Sequence, residues 1–137
     1  MELTFPIEFL VHGTAVSQQA KRPASRATWR EQVRNASTAV IPQPHFASNR
    51  PIAVTLYYRP LQAIEGDLDN IIKPVLDALS RHIYLDDSQI ERIVVQKFEP
   101  DQDFAFPNPS PMISAAWTAP RPVLYVRLSD QPPGEHR

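Results

Sequence analysis

The sequence predicts a single small α/β domain of the α+β type, with a mixed sheet of four or more strands and two main helices. Four segments show strand patterns of alternating or clustered apolar residues, and two show apolar stripes at helical spacing. The 137 residues are enough to bury one hydrophobic core. We expect one domain over residues 1–128 and a flexible tail over residues 129–137, which contain Pro132-Pro133-Gly134.

The first strand is predicted over residues 3–11, where every second residue is apolar. Pro6 lies inside this run and cannot donate a ladder hydrogen bond, which indicates a sheet edge or a bulge. A polar loop follows over residues 12–25. The first helix is predicted from about Ser25, as its N-cap, to Val40, and prolines follow its end. Trp29 lies in its apolar stripe and is expected in the core or in a dimer contact.

The second half of the chain predicts three strands and one helix. The strands cover residues 52–58, 90–98 and 123–128, and residues 99–122 are predicted to form a proline-rich loop. The second helix has Asp69 as its N-cap and an apolar stripe that ends at Leu79. Pro74 removes one helical hydrogen bond, so we expect an irregular first turn.

The composition excludes several classes of function. The chain has no cysteine, which excludes a disulfide framework, a thiolate-zinc site and a cysteine nucleophile. The longest apolar run is too short for a membrane span, and the N-terminus lacks a basic signal-peptide region, so we expect a cytoplasmic protein without membrane contact. The chain has three glycines and no glycine-rich phosphate loop, which weighs against a nucleotide-using transferase and against an organic cofactor. The four histidines share no ligand spacing and are predicted to be loop or surface residues.

The charges are segregated along the chain, although the net charge is only −1. Five basic residues that fall within fourteen positions are candidates for contacts with DNA phosphates: Lys21, Arg22, Arg26, Arg30 and Arg34. The three that follow residue 25 recur at every fourth position and so share one helix face. The alternative is an ordinary solvated helix face.

A pair of carboxylates precedes the second helix. Asp67 and Asp69 are two residues apart, so in an extended segment their side chains point to the same side. Magnesium prefers a few such hard oxygen ligands and keeps several waters. Lys73 follows Asp69 by four residues on the same helix face, where it could neutralise charge that builds up on a phosphate. The alternative for Lys73 is a plain helix ion pair with Asp69, worth about 0.3–0.5 kcal/mol.

A second group of acids follows the helix. Asp86 and Asp87 can return to the level of Asp69 if residues 82–87 are extended, because such a segment just spans the length of the helix. This return predicts that the strand at 90–98 pairs antiparallel with the strand at 52–58. A parallel pairing would exclude a metal site built within one chain.

Together, the run Asp67-Leu-Asp-Asn-x-x-Lys-x-x-x-Asp-x-Leu and the later run Leu85-Asp-Asp-x-Gln-Ile resemble the RusA family over about residues 65–98. These are small Holliday-junction resolvases of bacteria and their prophages. The resemblance implies a RusA-like homodimer that acts in DNA recombination and repair. It also implies hydrolysis of four-way branched DNA with Mg²⁺, for which Mn²⁺ can substitute, and paired nicks on opposing strands.

The resemblance also implies roles for individual residues. Asp67, Asp69 and Asp87 match metal-binding and catalytic acids, and Lys73 matches a lysine needed for catalysis. Asp77 matches an acid that we expect to be structural, and Asp86 is expected to be secondary. The alternative function is a dimer that binds branched DNA but has lost turnover.

Overall fold

The computed structural model describes residues 2–13, 23–62, 69–101 and 104–130, and of residues 23–26 and 69–70 it describes the backbone alone. The elements in chain order are β1 (Ile7–His12), α1 (Pro23–Thr38), β2 (Ile52–Arg59), α2 (Asp69–Leu79), a short 3₁₀ turn (Asp87–Gln89), β3 (Ile90–Lys97), α3 (Pro111–Thr118) and β4 (Val123–Ser129). Among these described helices, none has the length and apolar character needed to cross a bilayer.

The four strands form one mixed sheet in the order β1-β4-β2-β3. β4 pairs antiparallel with β1 on one side and with β2 on the other, whereas β2 and β3 are parallel. The predicted α+β fold with a mixed four-stranded sheet is therefore confirmed. β1 lies at the sheet edge, as Pro6 predicted, and begins at the residue after that proline.

The predicted antiparallel pairing of the second and third strands is wrong. Residues 80–84 form a tight turn instead of an extended return, with the Arg81 N–H donating to the Tyr84 carbonyl at 2.6 Å. Arg81 has φ 61°, a left-handed conformation that reverses the chain at once. The chain therefore runs up β2, back through α2 and up β3, which is the crossover that parallel neighbours require.

The helices differ from the prediction at two places. α1 begins at Pro23, two residues before the predicted cap, because a proline fits the first turn of a helix. α3 lies in the segment that was predicted to be a loop. Its N-cap is Ser110, whose Oγ accepts from the Ile113 N–H at 3.1 Å, and Pro111 occupies its first position. The prolines that indicated a loop here thus include one that starts a helix.

The hydrophobic core lies between one face of the sheet and the two longer helices. Trp29 and Val33 of α1 and Val75 and Leu79 of α2 are buried against strand residues such as Leu56. α3 packs on the other face, against β1 and β4. The predicted burial of Trp29 in the core is confirmed. β4 extends through Ser129, one residue into the predicted tail, and residues 131–137 lie outside the described ranges.

His82 lies in the turn after α2, in keeping with the predicted loop position, but it is buried, with only 6% of its surface exposed, and is not a surface residue. Its Nε2 lies 2.9 Å from the Ser37 hydroxyl and 3.2 Å from the Thr38 hydroxyl, so it ties the turn after α2 to the end of α1. Burial lowers the pKa of His82 to about 4, and the charges of Arg34 and His45 act in the same direction. The folded chain therefore keeps this imidazole neutral.

This pKa predicts a pH-dependent stability. An unfolded chain protonates the histidine near its ordinary pKa of 6.5, whereas the folded chain resists protonation down to about 4. The stabilisation is therefore present above pH 6.5 and lost as the pH falls towards 4. We expect urea unfolding to give a free energy lower by about 2 kcal/mol at pH 5 than at pH 7.5. His82→Gln should lack this part of the difference, and an equal pH dependence in both proteins would contradict it.

Candidate active site around α2

The predicted acids at the start of α2 are only partly described. α2 begins at Asp69, as the predicted capping position indicated to within a residue. The backbone of Asp69 is described but its side chain is not, and Asp67 lies outside the described residues. The structure does describe the rest of α2 after Asp69 and the turn through which the chain returns to Asp87.

Lys73 and Asp77 form an ion pair on the exposed face of α2. The Lys73 Nζ lies 3.2 Å from the Asp77 Oδ1, and 58% of the Lys73 side chain is exposed. The lysine thus pairs with the acid one turn after it, and the side chain of Asp69, one turn before it, lies outside the described part of the chain. An exposed pair of this kind contributes only about 0.3–0.5 kcal/mol, so Lys73 can leave Asp77 for a phosphate at little cost.

Asp87 is tied to α2 through a buried tyrosine. The Tyr84 hydroxyl donates to the Leu76 carbonyl at 2.9 Å and lies 3.3 Å from the Asp87 Oδ1. Burial raises the pKa of Tyr84, and the charge of Asp87 raises it further, so the phenol keeps its proton. Tyr84 is fully buried, and it therefore fixes Asp87 beside the middle of α2.

Asp86 and Asp87 have different surroundings. The Asp86 carboxylate caps the short 3₁₀ turn by accepting from the Ser88 N–H at 3.1 Å and from the Ser88 hydroxyl. Gln89 completes a capping box by accepting from the Asp86 N–H at 2.9 Å. The hydrogen bonds from Ser88 lower the pKa of Asp86. Asp86 is thus a structural cap. Asp87, in contrast, lies beside α2 through its contact with Tyr84.

The same capping box anchors the turn to the rest of the domain. The Gln89 side-chain amide donates to the carbonyls of Ser48 and Arg50, each at 2.8 Å. The spacing of Asp86 and Gln89 is a capping-box signal that the sequence already contained and that the prediction missed. The buried Tyr84 gave no comparable signal, because its role depends on a turn that cannot be recognised before it folds.

The parallel crossover sets the distance between the two ends of the predicted metal site. Asp87 lies beside Leu76, which follows Asp69 by seven residues, or about 10 Å along the helix axis. Two carboxylates that share a magnesium ion each need an oxygen about 2.1 Å from it. Within the described ranges, no group of three or more His, Asp or Glu side chains is placed to hold a metal. The parallel pairing therefore removes the extended return on which the predicted site within one chain depended.

A family model described as endodeoxyribonuclease RusA matches residues 11–103. The chain belongs to the RusA family. Members of this family are endodeoxyribonucleases that resolve Holliday junctions, so the predicted family, enzyme class and branched-DNA substrate are confirmed. No curated protein matches the chain.

The RusA match covers the whole β2–α2–β3 crossover and ends before α3 and β4. It therefore includes all of the predicted acids and Lys73, together with α1 and its basic residues. Of those basic residues, Arg34 is exposed and Arg30 is partly buried. The side chain of Arg26 is not described, and Lys21 and Arg22 lie outside the described residues.

The different surroundings of the two acids predict different effects on stability. Asp86→Ala removes the acceptor for two Ser88 donors and should lower the urea midpoint of unfolding. Asp87→Ala removes one long contact with Tyr84, whose hydroxyl keeps its bond to Leu76, and should change the midpoint less. Urea titrations followed by circular dichroism measure both variants. Equal midpoints would contradict the structural assignment of Asp86.

Proposed function

We propose that this RusA-family chain is a magnesium-dependent Holliday-junction resolvase that makes paired nicks in four-way DNA during recombination and repair. Manganese is proposed as a substitute ion. The observation that carries the proposal is the position of Asp87, whose contact with Tyr84 places it beside α2, the helix that also bears Lys73. The family match supplies the chemistry that such an acidic and basic surface would serve.

We propose that Asp67, Asp69 and Asp87 hold the ion, since carboxylate oxygens are the ligands that magnesium prefers. Such an ion, when bound, supplies polarisation of a phosphate and a water of lowered pKa. Lys73 is proposed to neutralise the charge that develops on the phosphate, for which its weak pairing with Asp77 leaves it available. One carboxylate would accept the proton of the attacking water as a general base.

We further propose that the chain acts as a homodimer whose active sites each take residues from both chains. The parallel crossover places Asp87 about 10 Å along α2 from Asp69 of the same chain. In a dimer, Asp87 of the second chain could lie close to Asp69 and complete the metal site. A two-fold dimer would also present two equivalent sites to the two opposing strands of a junction. The homodimer and the shared site are separate proposals, and subunit mixing, described below, tests the shared site.

The metal-binding acids are tested by charge removal. Asp67→Asn and Asp87→Asn should each slow magnesium-dependent cleavage of a synthetic four-way junction by at least about a hundredfold. Junction binding in EDTA should persist, because removing a negative charge does not weaken contact with DNA phosphates. Asp101→Asn, at an exposed loop acid, is the matched control and should cleave normally. Full cleavage by both variants would refute the assignment, and a wild-type protein that binds junctions without cleaving them would indicate a binding dimer.

Subunit mixing tests the shared site. Asp69→Asn and Asp87→Asn proteins are each expected to be inactive, but mixed dimers should regain one active site if each site combines Asp69 of one chain with Asp87 of the other. The product would be singly nicked junctions. The control mixture of Asp67→Asn with Asp69→Asn should stay inactive in either arrangement. No recovery in the first mixture, with subunit exchange confirmed by a tag, would place each site within one chain.

The basic face of α1 is proposed to contact DNA phosphates. Arg26→Gln combined with Arg30→Gln should lower the salt dependence of junction binding, with the slope of log affinity against log salt falling by about 0.9 for each phosphate that is no longer neutralised. Fluorescence anisotropy at several salt concentrations gives this slope. Glu31→Gln, on the same helix, is a control for changes in helix packing and should not flatten it. An unchanged slope in the double variant would indicate an ordinary solvated helix face.

A further inference from the structure

A groove lies on the face of the sheet opposite α1 and α2. β4, β2 and β3 form its floor, and residues 106–110 with the start of α3 form one wall. Its volume of about 770 Å³ falls within the range of small-ligand sites, roughly 300–1,000 Å³. The proposed catalytic acids and the basic face of α1 play no part in it, so the groove calls for a separate explanation.

Two arginines project into the groove from neighbouring parts of the floor. Arg127 of β4 pairs with Thr55 of β2, and Arg92 of β3 pairs with Ala53 of β2. Ala53 and Thr55 are two residues apart in one strand, so both arginines point to the same face. Guanidinium groups donate in a planar fork that fits the oxygens of a phosphate.

The electrostatics of the groove favour an anion. Burial raises the pKa of Tyr57, and the charges of Arg127 and Arg92 act in the opposite direction, which shows that both arginines lie near this phenol. Among the described residues that line the groove, the one acid is Glu8, which accepts hydrogen bonds from the hydroxyls of Ser110 and Tyr125. Within this described lining, the two arginines therefore outnumber the one carboxylate.

Aromatic rings line the same groove. Tyr57 and Phe106 are both partly exposed, and their ring centroids are 5.4 Å apart at an interplanar angle of 38°. Tyr57 also stacks on Tyr125 with an interplanar angle of 16°. Rings held by neighbours in this way lose little freedom when a flat group stacks on them. Bases of an unpaired strand stack on aromatic side chains without regard to sequence.

We propose that this groove binds a short unpaired segment of a DNA strand, with its phosphates on Arg92 and Arg127 and a base on Tyr57 or Phe106. A paired duplex fits this chemistry less well, because its bases are stacked on one another and cannot reach the rings. The site lies on the far side of the sheet from the proposed active site and needs no metal. It goes beyond the proposed function, in that a resolvase would hold an opened strand as well as a folded junction.

The first test measures binding of a fluorescein-labelled oligothymidylate by anisotropy in EDTA. Arg92→Gln combined with Arg127→Gln should weaken binding by at least about tenfold and lower the salt slope by about 0.7 for each phosphate that is no longer neutralised. Affinity for a fully paired duplex should not change. Arg50→Gln is the matched control, because this exposed arginine pairs with Asp130 outside the groove. Equal oligothymidylate binding by the double variant and the control would overturn the proposal.

The second test uses the wild-type protein, so it does not depend on how the variants fold. On ultraviolet irradiation, an oligonucleotide that contains 5-iododeoxyuridine should become cross-linked to peptides that contain Tyr57 or Phe106. Cross-links confined to α1 or α2 would overturn the proposal. A double variant that keeps its oligonucleotide affinity but changes its sedimentation would show instead that two copies of the chain meet at this face. Junction cleavage is measured in parallel, and its loss would bear on the proposed function and not on the groove.

Discussion

The parallel pairing of β2 with β3 is the constraint on which the arrangement of this domain depends. A parallel pair requires a crossover, and here the crossover is α2, which must run opposite to both strands. The start of α2 is therefore carried to one end of the sheet, and its last turn, with the chain that follows, to the other. The direction of α2 relative to β2 and β3 therefore determines where each proposed site residue on this unit lies.

The crossover also explains why one tyrosine matters to the acidic surface. β3 must start close to the end of α2, so the chain turns within residues 80–84 and brings Asp87 back only as far as Leu76. Tyr84 fills the space between helix and turn and contacts both. The pair formed by His82 and Ser37 holds the same turn against α1. A few buried polar contacts thus determine where Asp87 lies relative to Lys73.

Local patterns predicted most of the fold. Alternating or clustered apolar residues located all four strands to within a few residues, and in the first two the alternation reflects the period of two that the pleat gives each strand face. Pairing direction was not predictable in the same way, since it depended on whether residues 80–87 turn or extend. α3 was missed because a proline both ends and begins helices, and only the cap formed by Ser110 distinguishes the two. The burial of His82 was not predicted, because it depends on partners that are distant in the sequence.

The sequence likewise predicted only part of what the structure shows of the candidate sites. Residue chemistry identified the run of acids, and the family motif chose Asp87 over its neighbour. The structure shows Asp86 in a capping box with Ser88 and Gln89, and the choice of Asp87 as a metal-binding acid stays a prediction. The spacing argument could not find the groove under α3, because Arg92, Arg127 and Phe106 are far apart in the sequence and meet only across the sheet.

The left-handed residue in the turn after α2 has a practical consequence for protein engineering. Arg81 has φ 61°, which costs a residue with a Cβ roughly 1–2 kcal/mol relative to glycine. Glycine would relieve this strain but would lose more backbone entropy on folding, by roughly 0.5–1 kcal/mol. The balance favours glycine by a small margin, at an exposed position outside both the α2 face and the groove. A more heat-resistant form of the enzyme could therefore be sought here without altering either surface that we propose to meet DNA.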